Sequence, residues 1–197
     1  MMPPLPIPNA ASPQVRRTPE GPQGRLQYDL YIGGEFVAPA GGRYFETTDP
    51  VTGEVWADVA RGSEADVDAA CRAAQAAFED PAWRGLSASA RGALMRRLGD
   101  LITENADWLA AVEMKDNGKL IAELGNQMRY MANYYYYYGG LADKIEGSTI
   151  PTDKPGVFNF TRYEPIGVVA CIMPWNSPLP LTSLKLAPES KQGHPAF

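Results

Sequence analysis

In the first part of the chain, the pattern of apolar and polar positions is typical of β-strands. Leu30–Ile32 and Glu35–Val37 flank Gly33 and Gly34, which predicts a hairpin with a two-residue turn. The stretch Asp49-Pro-Val-Thr-Gly53 predicts a further turn. Apolar residues then alternate with period two, which favours a strand with one buried face. The alternating positions are Val55, Ala57 and Val59.

Beyond residue 62 the period changes to that of α-helices. Ser63 followed three residues later by Asp66 is typical of a capping box, and Pro81 ends the apolar stripe that follows. Ser87 predicts the start of a second helix, and the pair Asn117-Gly118 predicts the end of a third. The apolar positions assigned to the first stripe are Val67, Ala70, Cys71, Ala74, Ala77 and Phe78, and those of the second are Leu94, Leu98, Leu101 and Ile102.

A longer helical stripe runs from Ile121 to Ile145 and contains five consecutive tyrosines, Tyr134 to Tyr138. Successive residues of a helix advance by about 100°, so these rings surround the helix and one core cannot bury them all. Some must therefore face a second surface. That surface is either a band of half-exposed rings or a contact with another protein or subunit.

Past Gly147 the pattern predicts strands again. The run Gly167-Val-Val-Ala-Cys-Ile-Met173 has no polar alternation, as expected of a strand covered on both faces of a parallel sheet. Ligands of doubly wound α/β sheets bind outside the carboxyl ends of such strands. Trp175 and Asn176 are therefore predicted to lie where a reacting group could be met.

Composition and charge narrow the function classes. The chain of 197 residues is 45% apolar with a net charge of −5, and its charges are interspersed, which argues against nucleic acid or a membrane as partner. The two cysteines suit buried thiols in a reducing compartment, and the cytoplasm is the predicted location. The first 25 residues carry seven prolines, which predicts a disordered leader or a start codon assigned too early.

Few side chains of this sequence can carry chemistry. The only histidine, His194, lies in a polar tail, so neither cysteine has an evident base, and no metal-ligand spacing or Gly-x-Gly-x-x-Gly loop occurs. Asn176 remains, because an uncharged amide that donates two hydrogen bonds suits a developing oxyanion. The local pattern taken alone favours an N-cap for the segment from Leu179 to Leu186, with Pro178 in its first turn.

Several motifs resemble, in sequence and order, the N-terminal part of an aldehyde dehydrogenase over roughly residues 26 to 188. They are Tyr31-Ile-Gly-Gly-Glu35, the Asp49 turn, Asp116-Asn-Gly-Lys119, Leu141-Ala-Asp-Lys-Ile-Glu-Gly147, Tyr163-Glu-Pro-Ile-Gly167 and Met173-Pro-Trp-Asn-Ser-Pro178. The resemblance implies an incomplete α/β fold. It comprises a leader (1–25), a helical and hairpin region (26–165), the first strand and helix of a doubly wound cofactor domain (166–188) and a divergent tail (189–197).

The resemblance also implies an activity, the oxidation of an aldehyde to a carboxylate through a cysteine thiohemiacetal with NAD or NADP as cofactor. It implies that Asn176 is the oxyanion donor. The residues implied to line or surround the cofactor cleft are Ile172, Met173, Pro174, Trp175 and Lys185.

After Pro188 the sequence departs from the family pattern, and no residue matches the nucleophilic cysteine, the general-base glutamate or the cofactor loop. We therefore expect a truncated chain that is inactive alone. The alternative is a non-catalytic piece that associates with full-length subunits or with itself.

Overall fold

The structure, a computed structural model, describes residues 21 and 24–191 and has an α/β architecture. The strands are β1 Leu26–Tyr28, β2 Leu30–Ile32, β3 Glu35–Val37, β4 Tyr44–Thr48, β5 Val55–Ala60, β6 Thr149–Ile150 and β7 Asn159–Phe160. The helices are α1 Glu64–Glu79, α2 Pro81–Arg84, α3 Ala88–Glu104, α4 Ala106–Asn117, α5 Ile121–Leu141 and α6 Pro178–Lys191. None of these helices combines the length and apolarity that a membrane span requires.

The strands of the first part form two small sheets. β5 lies between β1, to which it is parallel, and β4, to which it is antiparallel. β2 and β3 form the predicted hairpin, whose turn residues Gly33 and Gly34 have φ of 62° and 85°. The turn at Asp49 is also confirmed, because the Gly53 N–H donates to the Asp49 carbonyl at 2.8 Å.

The predicted capping box begins α1, although the apolar stripe of this helix is narrower than expected. The Asp66 carboxylate accepts from the Ser63 N–H at 2.7 Å and from the Ala40 N–H at 2.8 Å. Ala74 is buried, whereas Val67 and Cys71 are exposed. The helix packs through its alanines, so the expectation of a buried Cys71 thiol was wrong.

α3 begins at the predicted cap, with the Ser87 Oγ accepting from the Ala90 N–H at 3.2 Å. Its buried face differs from the predicted leucine stripe, because Leu94 and Leu98 are 53% and 41% exposed. The cause is a close approach to α5, in which a Cβ on Gly92 would lie 2.3 Å from the Gly139 carbonyl oxygen. The face that contacts α5 is therefore the one that carries two glycines. It consists of Gly92, Met95, Gly99 and Ile102.

The main core lies along α5, where α3, α4 and α6 meet it. α4 ends at Gly118, which has a φ of 75° and donates to the Met114 carbonyl at 2.8 Å, as the Asn117-Gly118 pair predicted. α5 ends at Leu141, four residues short of the predicted stripe. The most buried core residues are Ala106, Ala110, Leu124, Met128, Met131, Tyr135 and Ala187.

The predicted buried strand after Pro165 is not formed. Residues 166–173 have no regular secondary structure and pair with no strand among residues 24–191, and Ile166 and Ile172 are 86% and 83% exposed. A parallel strand needs hydrogen-bonding neighbours on its edges, and the described strands lie in three other sheets. The strand predicted over 157–163 is likewise reduced to β7, which pairs with β6.

The predicted leader and tail lie at the edges of the described residues. The leader prediction falls on residues outside the description, apart from 21, 24 and 25. Arg25 belongs to the fold, because its guanidinium donates to Glu46 at 2.8 Å and to Asp58 at 3.0 Å. At the other end α6 passes through Pro188 to Lys191, and residues 192–197 lie outside the description.

Candidate functional site

Asn176 lies in an exposed turn directly before α6. Trp175 beside it is 86% exposed, and the Asn176 side chain forms no hydrogen bond to any residue in the described range 24–191. α6 begins at Pro178, and the residue before it, Ser177, accepts from the Leu181 N–H at 3.1 Å through its carbonyl. The cap position therefore belongs to Ser177, and the interpretation of Asn176 as an N-cap was wrong.

The first anchor of this turn is a buried carboxylate from α4. Glu113 is 2% exposed, and its Oε2 accepts from the Leu179 N–H at 3.1 Å. The Asn117 side-chain amide contacts its Oε1 at 3.4 Å. Burial raises the pKa of Glu113 above its ordinary value, against the opposing effects of the Leu179 N–H and the Lys119 charge.

The second anchor is an ammonium group from the loop between α4 and α5. Lys119 Nζ donates to the Ser177 Oγ at 2.5 Å and to the Gln127 Oε1 at 3.0 Å. The backbone N–H of Lys119 donates to the Asn117 Oδ1 at 3.0 Å, which fixes the start of the loop. Glu113 and Lys119 thus contact consecutive parts of the segment that follows Asn176.

α6 itself is held by its buried face on α5. Ala187 is fully buried and Ser183 is 2% exposed, with the Ser183 hydroxyl donating to the Leu179 carbonyl at 3.3 Å. Burial raises the pKa of Tyr135 on α5, and the nearby Ser183 hydroxyl opposes that rise. The body of α6 is therefore fixed independently of the turn.

The residues predicted to line a cofactor cleft lie on the approach to the same turn. Lys185 Nζ donates to the Ile172 carbonyl at 2.8 Å, which ties α6 back to the irregular segment before it. Ile172, Pro174 and Trp175 are exposed, and Met173 is half-buried. The structure thus brings Lys185 and Ile172 together, and it leaves Pro174 and Trp175 exposed.

These residues do not by themselves fit a dinucleotide. The Leu179 N–H, which a helix N-terminus could offer to a phosphate, is already bonded to Glu113. Ile172 and Trp175 are more than four-fifths exposed, so no second wall from the described residues faces them. Within the described residues 24–191, this segment therefore forms no enclosed dinucleotide site.

Two grooves on the surface of the described residues lie away from Asn176. One of about 470 Å³ lies between α2, α3 and the segment 162–165, and another of about 480 Å³ lies between α4 and α5. Neither is lined by a residue of the segment 172–177. The Asn176 amide is therefore presented on a surface rather than inside either groove.

Sequence reasoning did not identify Glu113 or the role of Lys119. A signal was present, because Glu113 follows Ala106 and Ala110 on the buried face of α4 at helical spacing. An acid in such a stripe indicates a buried hydrogen-bonding partner elsewhere. The partner, Leu179, lies 66 residues further along and could not be identified from spacing.

Similar proteins all point to one family. Residues 36–193 match the aldehyde dehydrogenase family. The (Z)-2-((N-methylformamido)methylene)-5-hydroxybutyrolactone dehydrogenase of Acinetobacter baylyi is 47% identical over 167 residues, or 85% of this chain and 34% of that protein. An aldehyde dehydrogenase of Enchytraeus buchholzi is 45% identical over 83% of this chain and 33% of its own. This chain thus spans about a third of the length of these relatives.

Solved structures agree with this match. An aldehyde dehydrogenase from Bacillus cereus, solved as an NAD⁺ complex, superposes with a TM-score of 0.81 at 40% identity, covering 85% of this chain and 34% of that one. Apo betaine aldehyde dehydrogenase from Staphylococcus aureus gives 0.80 at 36% identity, covering 84% and 33%. The described architecture is consistent with a partial N-terminal portion of that fold. The chain belongs to the aldehyde dehydrogenase family.

Proposed function

We propose that this chain is a portion of an NAD(P)-dependent aldehyde dehydrogenase, and that Asn176 is its oxyanion donor. One observation carries the proposal: the exposed Asn176 amide has no partner among residues 24–191, yet the segment on either side of it is fastened. A donor with this freedom costs no existing hydrogen bond when it meets a substrate. The resemblance to the family around Met173-Pro-Trp-Asn-Ser-Pro178 supports the assignment.

In the proposed reaction, Asn176 has one role, which is to stabilise the charge that develops on oxygen. When a thiolate adds to an aldehyde carbon, a C–S bond forms and the electron pair of the C=O bond moves to oxygen. The amide N–H of Asn176 donates to that developing charge, without a proton being transferred. The hydride acceptor of the complete reaction is NAD or NADP.

The same proposal includes a lack of activity in the 197-residue chain alone. The family nucleophile and general base have no matching residue in this sequence. The sole histidine, His194, lies outside the described residues, and of the two thiols Cys71 is exposed on α1. One oxyanion donor without an activated nucleophile does not support turnover.

The donor role is tested in a chain completed with the remaining length of the Acinetobacter relative. Asn176→Ala should lower kcat about 10² to 10³-fold, as loss of one preorganised oxyanion donor does. Asn133→Ala, which removes an exposed amide from α5, is the matched control and should leave kcat unchanged. An unchanged kcat in Asn176→Ala, in a completed enzyme that is active, would reject the role.

A second candidate function is association with full-length subunits or another copy. Tyr130, Tyr134 and Tyr137 share one face of α5 at spacings of four and three, and Tyr130 and Tyr137 are 61% and 63% exposed. Exposed aromatic rings in a stripe favour a protein contact. Tyr137→Ser should then weaken co-purification with a full-length relative. Equal recovery of the variant and the parent chain would count against this function.

A further inference from the structure

We propose that Glu113 is a positioning residue, which holds the Asn176 turn by capping α6 from α4. The inference rests on the proposed function, because it concerns the geometry of the same donor. Glu113 is 2% exposed and lies 66 residues before the N–H that it accepts, so the cap is a tertiary contact. It is distinct from the local caps of α1 and α3.

The need for this cap follows from the first turn of α6. The first backbone N–H groups of a helix have no intrahelical partner. Pro178 and Pro180 have no N–H to satisfy, so Leu179 carries the single unpaired donor among the first three helical residues. The next N–H, from Leu181, is already bonded to the Ser177 carbonyl. Glu113 satisfies that single donor.

The group that usually caps a helix, here the hydroxyl of Ser177, is bonded to a different partner. Ser177 precedes the helix, but its hydroxyl accepts from Lys119 Nζ at 2.5 Å. Lys119 therefore holds Ser177, while Glu113 satisfies the Leu179 N–H. Both are positioned by α4, because Gly118 ends that helix one residue before Lys119. A carboxylate at a helix N-terminus is also favoured by the helix dipole.

Glu113 is unsuited to act on a substrate directly. Its side chain is buried under α6, and its two oxygens contact the Leu179 N–H and the Asn117 amide. A general base must reach the proton that it abstracts, and Glu113 is covered by the residues that it fastens. Its effect on the reaction is therefore through the position of Asn176.

The cap is tested in the 197-residue chain by amide exchange at Leu179, followed by NMR. Glu113→Leu should speed this exchange about tenfold or more, because a charge-assisted hydrogen bond is lost. Glu113→Gln keeps an acceptor of the same size and should recover most of the protection. Glu123→Leu changes an exposed acid on α5 and should have no effect. The α4 and α5 amides report whether each variant is folded.

Positioning is tested in the completed enzyme. Glu113→Leu should lower kcat about tenfold with KM unchanged, and Glu113→Gln should restore it. In Asn176→Ala, adding Glu113→Leu should cost little more, because both changes act through one donor. Full additivity of the two losses would overturn the positioning role.

The two proposals can fail separately. If Leu179 exchange is unchanged in a folded Glu113→Leu chain, the cap is rejected whatever the kinetics show. If Glu113→Leu does not fold, the near-isosteric Glu113→Met, which also lacks the oxygen acceptor, takes its place, and unchanged Leu179 exchange in that folded variant rejects the cap. If Asn176→Ala leaves kcat unchanged, the donor role is rejected while the exchange result still decides the cap.

Discussion

The N-termini of α1 and α6 are both closed by a buried carboxylate, but the two groups do so in opposite electrostatic settings. Asp66 lies within α1 itself, and the Ser63 hydroxyl, with the N–H groups of Ala40 and Ser63, lowers its pKa. Glu113 reaches α6 from another helix, and burial raises its pKa. The Asp66 carboxylate, in its own helix, is surrounded by hydrogen-bond donors that favour its charged form. The Glu113 carboxylate is buried in the core, and this burial disfavours its charged form.

The largest expected effect concerns the core that supports the α6 end. Leu124, on α5, is fully buried in the core to which α4 and α6 also contribute, and Leu124→Ala should lower the free energy of unfolding by about 2–5 kcal/mol. Leu94→Ala removes an equal side chain that is 53% exposed on α3, and should change it by about 0.5 kcal/mol or less. Urea unfolding of both variants measures the difference. Equal losses would mean that this core does not hold the α6 end.

The two serines that precede these helices provide the next test. Ser63→Ala should cost about 1 kcal/mol, because the Ser63 hydroxyl and its partner Asp66 close α1. Ser177→Ala should cost about 0.5 kcal/mol or less, because Glu113 satisfies the α6 donor in its place. The thermal midpoints of both variants give the comparison. A larger loss for Ser177→Ala would show that α6 depends on its local cap.

The smallest effects concern pH, and their signs differ. The pKa of Asp66 is below its ordinary 3.8, so its contribution to stability is present above that pH and is lost as pH falls through the folded-state value. The pKa of Glu113 is above its ordinary 4.5, so its contribution is present below that pH and is lost as pH rises through the folded-state value.

Unfolding across pH, with one variant for each acid, separates the two. Asp66→Asn should flatten the acid side of the stability profile, and Glu113→Gln should flatten the fall that begins above 4.5. Both profiles need only thermal midpoints at a series of pH values. The same change on the same side in both variants would contradict the assigned directions.

The features that could be predicted from sequence were those with local causes. The Gly33-Gly34 turn, the Ser63 and Ser87 caps and the Gly118 helix end all depend on neighbours within a few residues, and all are confirmed. The predicted buried face of α3 is confirmed at Ile102 but was wrong at Leu94 and Leu98, because the approach of Gly92 to Gly139 depends on where α5 packs. Local pattern cannot supply that information.

The residues of the candidate site show the same difference between local and distant causes. Motif and resemblance identified Asn176 as the candidate donor, and that role stays a prediction, whereas the N-cap role that the local pattern favoured was wrong. Glu113 was missed because its partner is distant in sequence. The apolar run through Val168 predicted a buried strand, yet burial needs flanking strands that the described residues do not provide.

The most direct test of the account is aldehyde oxidation by the 197-residue chain and by the completed enzyme under the same conditions. Each is given acetaldehyde or benzaldehyde with NAD⁺ or NADP⁺, and reduced cofactor is followed by absorbance. We expect the 197-residue chain alone to produce no more reduced cofactor than a buffer blank. The completed enzyme should oxidise the aldehyde at a rate that depends on Asn176. Sustained turnover by the 197-residue chain would contradict this expectation, because this sequence would then hold a nucleophile and a base that the account does not contain.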